Sequence, residues 1–118
     1  MTALATLWNR FGQSIDTRRH RATRNHTEMI AGPDGGARLV VAHRDPGVPN
    51  WLDTMSRPLA LLNFRYFWGS TLPAIETRVV PVSEVRAALS ADTPTVDAAT
   101  RAQEVRDRRD HLAWRYRV

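Results

Sequence analysis

The chain has no cysteine and no lysine. Without thiols it can form no disulfide, thiolate metal site or cysteine nucleophile. No apolar run approaches the roughly 20 residues of a membrane helix. The opening Met1-Thr2-Ala3-Leu4-Ala5-Thr6-Leu7 has neither the basic start nor the apolar stretch of a secretory signal, so a cytoplasmic location is expected. Also absent are a Gly-X-Ser-X-Gly elbow, a phosphate-binding glycine loop, a His-Glu-X-X-His helix and a dinucleotide fingerprint. Neither a cofactor nor a metal is expected. No repeat or low-complexity tract interrupts the chain. Its 118 residues, 42% hydrophobic and 25% charged, suit one globular domain.

All 17 cationic side chains are arginine, against 12 acidic ones, for a formal charge of +5. A GC-rich coding bias accounts for such a skew simply. Arginine also suits anions, because its planar fork donates two parallel hydrogen bonds. The densest cluster is Arg18, Arg19, Arg21 and Arg24 with His20 and His26. Nucleic-acid binders interleave such charge with stacking aromatics. No Phe, Tyr or Trp lies between Asp16 and Trp51, so the cluster reads as a solvated strand or loop, with an anionic partner as the alternative. For the chain as a whole a small anionic ligand is among the partners considered, and nucleic acid is not expected.

Residues 4 to 16 are ambiguous. Leu4, Leu7, Trp8, Phe11 and Ile15 recur at helical spacing, yet Leu7 and Asn9 alternate with Trp8 and Arg10 as in a strand, and Gly12 weakens a long helix. Thr27 to Ala31 and Arg38 to Ala42 flank Gly32-Pro33-Asp34-Gly35-Gly36, which predicts a β-hairpin. Leu39-Val40-Val41 suggests a strand covered on both faces, or a sandwich core strand. Leu59 to Trp68 predicts a long strand whose core face is Ala60, Leu62, Phe64, Tyr66 and Trp68. Thr77 to Val82 predicts an edge strand containing Pro81. Ser83 is positioned to cap a short helix reaching about Leu89, and Asp97 a second one from Ala98 to about Tyr116. That second helix carries a narrow stripe of Ala98, Ala102, Val105, Leu112 and Tyr116, interrupted by Arg109. Its tail, with Trp114 and Tyr116, is expected to dock on the domain or on another subunit.

The candidate site residues centre on the loop from Ala42 to Asp53. Asp45-Pro46-Gly47 fits a turn with proline second and glycine third. Asn50 can bond its own loop and Trp51 can plug the core. The functional alternative makes Trp51 a pocket wall with Asp45, Asn50 and Asp53 as polar contacts. His43 and Asp45, two apart, share a strand face and could form an oriented acid-base pair or a surface pair. Arg65, amid Phe64, Tyr66, Phe67 and Trp68, must be exposed, paired with Asp53 or Glu76, or free to meet a ligand carboxylate.

Taken together, Asn9, Ser14-Ile15-Asp16, Asn25, Pro33-Asp34-Gly35, Leu39-Val40-Val41, Asp45-Pro46-Gly47, Asn50-Trp51-Leu52-Asp53 and Phe64-Arg65 resemble the pattern of the domain of unknown function 1214. The likeness covers roughly residues 7 to 82, and its specific part runs from Asp45 to Asp53. The family has no established activity, and its domain usually follows the domain of unknown function 1254. The resemblance implies a jelly-roll-like fold. Where relatives often carry Gly-His and a later glycine, this chain has Met55-Ser56-Arg57-Pro58 and Leu59-Ala60.

The expectation is thus a mainly β protein, an antiparallel, partly jelly-roll-like β-sandwich over residues 1–89, a linker at 90–96, and a helical appendage at 97–118. It is expected to be a non-enzymatic module binding a ligand or protein. The alternatives are an enzyme fragment acting on a small apolar or anionic substrate, or a truncated relative. A homo-oligomer, or a partner chain in place of a missing N-terminal domain, would then cover exposed strands.

Overall fold

A computed structural model describes residues 2–117. Among the described residues, five strands form two sheets, followed by two α-helices: β1 (Thr2–Trp8), β2 (Thr23–Asn25), β3 (Val40–Ala42), β4 (Trp51–Asp53), β5 (Leu61–Phe67), α1 (Val85–Ala88) and α2 (Ala98–Tyr116). The first sheet is antiparallel in the order β2-β1-β5, and the second pairs β3 with β4.

The ambiguous N-terminal stretch is a strand because Asn9 ends it. Its side-chain oxygen accepts the amides of Phe11 (2.9 Å) and Gln13 (3.0 Å), turning the chain back at Gly12, whose φ is +73°. Along β1, Ala5 and Leu7 point inward and face Phe64 and Leu62 of β5. They join Ile15, Ala22 and Leu52 in one apolar cluster, flanked by Leu39, Ala60 and Phe64. Val40, Ala42, Val48 and Val85 form a second cluster with Trp51, Val80 and Val82 around it. The β3–β4 pair therefore lies between β1 on one side and α1 on the other.

Several expectations change. The predicted hairpin shrinks to a single bridge between Ala31 and Ala37. Thr27 and Glu28 are held instead in a turn by Asn25, whose side-chain oxygen accepts both amides while Glu28 Oε2 accepts the Asn25 amide. Val40–Ala42 pairs with Trp51–Asp53, and in parallel rather than antiparallel register. Val41 is half exposed, so β3 is not covered fully on both faces. Residues 77–82 show the expected alternation, Val80 and Val82 inward and Val79 outward, but form no strand because no neighbour offers a ladder. Ser83 does not cap a helix: Val82–Glu84 is a 3₁₀ turn leading into α1, without a side-chain cap.

Asp97 does cap α2, accepting the Thr100 amide at 2.8 Å. The inward face of that helix is Arg101, Glu104, Val105, Arg108 and Leu112, so Ala98, Ala102 and Tyr116 of the expected stripe are exposed. Trp114 and Tyr116 do not dock on the domain. Of the core face expected along 59–68, Ala60, just before β5, and Phe64 pack against the core, whereas Leu62 is exposed and Trp68, past the strand end at a φ of +56°, is 88% exposed. Among the described residues, no helix is long and apolar enough to cross a membrane.

Candidate functional site

The Pro-rich loop is tied down through Asp45, Asn50, Trp51 and Asp53, while His43 and Arg44 are exposed. Asp45 accepts the Gly47 amide (2.8 Å), which closes the turn at a φ of +69° on Gly47. Its carboxylate also accepts Arg101 Nε at 3.1 and 3.2 Å, joining loop to α2. Arg101 further donates to the Val48 carbonyl and lies 5.3 Å over the Trp51 ring. Asn50, 4% exposed and at a φ of +61°, exchanges two bonds with the backbone of Ile30, at 2.8 and 2.7 Å. Asparagine is one of the few side chains that tolerates this backbone region. Trp51 donates its indole N–H to the Ala42 carbonyl (3.0 Å), and Asp53 Oδ2 lies 2.7 Å from His20 Nδ1.

Asp45, Asn50 and Trp51 are thus brought together, but their contacts are internal. The His43–Asp45 pair does not form: Asp45 turns to Arg101, and His43 is exposed. Arg65 sits on the other sheet, bonded to Asn63 (3.2 Å) and 6.0 Å over Trp8, and meets neither Asp53 nor Glu76. Among the described residues, no group of three His, Asp or Glu is placed to hold a metal ion.

The arginine cluster departs most from expectation. Arg18 and Arg19 are solvated, but Arg21 is 7% exposed and Arg24 3%. Arg24 donates to the Trp51 carbonyl and to Glu104 of α2, both at 3.0 Å, and Arg21 pairs with Glu28 at 3.2 Å. Burial lowers the pKa of Arg24; Glu104 offsets part of that effect, while Arg21 and Arg101 add to it. The helix is therefore seated by an Arg24–Glu104–Arg101–Asp45 chain rather than by an apolar seam. One signal was available: Arg101, Glu104 and Arg108 recur at helical spacing, as a buried polar face would.

The opposite flank is apolar and open. On the outer face of the first sheet Leu61 and Phe67 are about two-fifths exposed, and Trp68, Leu72 and Val79 follow almost bare. β5 is an edge strand seven residues long. Among the described residues, no backbone hydrogen bond outside the β1–β5 ladder engages residues 58–80.

Compared with known proteins, the chain matches no family model, no curated protein and no solved structure.

Proposed function

We propose that this chain is a non-enzymatic protein-binding module whose interaction surface is the open edge of β5 with the apolar band beside it, and that its partner is a second copy. The observation that carries this reading is a seven-residue edge strand whose outer face and flanking segment expose Leu61, Phe67 and Trp68. An uncovered apolar edge is a template for pairing with another strand. The strand is also self-complementary. A two-fold axis at Phe64 opposes Leu61 with Phe67, Leu62 with Tyr66, and Asn63 with Arg65 of the second copy, each pair occurring twice, so that two polar pairs flank Phe64 and apolar pairs lie outside them. Leu52 of β4 packs with Ala5 and Leu7 of β1, which supports reading the two sheets as a reduced β-sandwich of the kind the resemblance to the domain of unknown function 1214 implies.

Light scattering after size exclusion, repeated from low to high salt, tests this. A dimer is expected, and it tightens as salt screens the +5 charge on each copy. Phe67→Lys, on the exposed face, should yield a folded monomer. A wild-type chain that stays monomeric throughout sinks the proposal, as does a dimer that survives this substitution.

A further inference from the structure

Behind the buried arginines, a cleft of about 370 Å³ opens between the β2 region and α2. It is lined by Arg21, Arg24 and Glu28 on one side and by Glu104, Asp107, Arg108 and His111 on the other. The carboxylates there are mostly committed. Glu28 holds Arg21, Glu104 holds Arg24 and Arg101, and Asp107 accepts the Gln103 amide at 2.6 Å. One nitrogen of a paired guanidinium and one whole guanidinium are left over. Arg21 Nε is buried with no hydrogen-bond acceptor. Arg108 is half buried and, among the described residues, has no ion pair or side-chain hydrogen bond. Its pKa is lowered by burial, with Glu28 compensating in part and Arg21 opposing. It stays a cation at neutral pH. A desolvated, unpaired guanidinium is costly unless something anionic meets it.

We infer that this cleft binds the oxyanion group of a small molecule, a phosphate or phosphate monoester. Arg108 supplies the fork, His111, one turn further along α2, a second donor, and Arg21 the opposing positive wall. Two parallel N–H donors from one guanidinium match two oxygens of a phosphate. The volume is that of a small-molecule site, and no tryptophan, tyrosine or phenylalanine lines the cleft to stack a nucleobase. The site lies on α2, away from the β5 edge, so it stands or falls independently of dimerisation.

The test is calorimetric titration of the purified full chain with inorganic phosphate, then with a simple phosphate monoester, at ionic strength held constant with chloride. One saturable site per chain is expected, and Arg108→Gln should weaken it by about tenfold or more, the loss of a charge-assisted bond. Arg109→Gln, on the solvated side of the same helix, removes an equal charge and should leave affinity within about twofold, as expected for a screened surface cation. Arg108→Lys keeps the charge but not the fork, and should bind detectably but more weakly; it also serves if the glutamine variant fails to fold. Tighter binding of the monoester would mark a metabolite as the source, and equal binding free phosphate. Phosphate heats no larger than those of chloride would overturn the inference, as would equal losses at Arg108 and Arg109.

Discussion

Arg101→Met tests whether charge seats the C-terminal helix. Methionine retains the aliphatic stem and removes the guanidinium. The Val48 carbonyl then loses its donor in a buried position, which costs about 1–3 kcal/mol. The Asp45 side chain is 35% exposed and can rehydrate, so its lost partner costs only about 1 kcal/mol. Loss of the cation above Trp51 adds about 0.5–1 kcal/mol. The net destabilisation is about 3 kcal/mol, a large fraction of a typical domain's stability. For a chain of this length it lowers Tm by roughly 10–15 °C. Urea unfolding followed by circular dichroism measures it directly. Because Arg101 also holds Val48, Asp45→Asn alone should cost less, and the double variant little more than Arg101→Met. A single variant within about 0.5 kcal/mol of wild type, the range of an ordinary surface change, would refute the charge-seated helix.

Two further outcomes follow from the loop and the cap. Asn50→Ala removes both bonds to Ile30 and places alanine in a left-handed backbone, at a cost of about 2–3 kcal/mol. Asn50→Gly should recover the backbone part, and equal losses in the two variants would show that the strain argument is wrong. Asp97→Ala should fray the first turn of α2, seen as lost signal at 222 nm, while Asp97→Asn keeps the acceptor and the helix. Bonds from Thr100 hold the Asp97 carboxyl below its ordinary pKa, so its contribution is present above about pH 4 and is lost as pH falls through the lowered value. Identical acid-unfolding curves for wild type and Asp97→Ala would contradict this.

Local chemistry in the sequence was a sound guide where one side chain decides the outcome. Asp97 caps its helix, Asp45-Pro46-Gly47 turns, and Trp51 anchors its loop. Pairing partners were less legible. Gly32 to Gly36 does turn, yet Asn25 captures Thr27 and Glu28 before they can join a ladder, and Val40–Ala42 finds a strand further along. The burial of Arg21 and Arg24 was hidden because their acceptors are distant: Glu104 is 80 residues from Arg24, and Trp51 contributes only a backbone carbonyl. Arg65 shows the converse, a cation among aromatics whose face is solvent rather than core.

The parallel β3–β4 pair has a consequence for how this chain can change. Parallel neighbours are ordinarily joined by about a dozen residues or more, because the chain must run back the length of a strand before starting the next. Here residues 43–50 make that return, pinned at Gly47, Val48 and Asn50. The loop has almost no slack. Extra residues can bulge outward at exposed Arg44, whereas a deletion forces β4 to slide, displacing Leu52 from the core. Length variation in this segment should therefore be one-sided, accepting insertion and refusing loss.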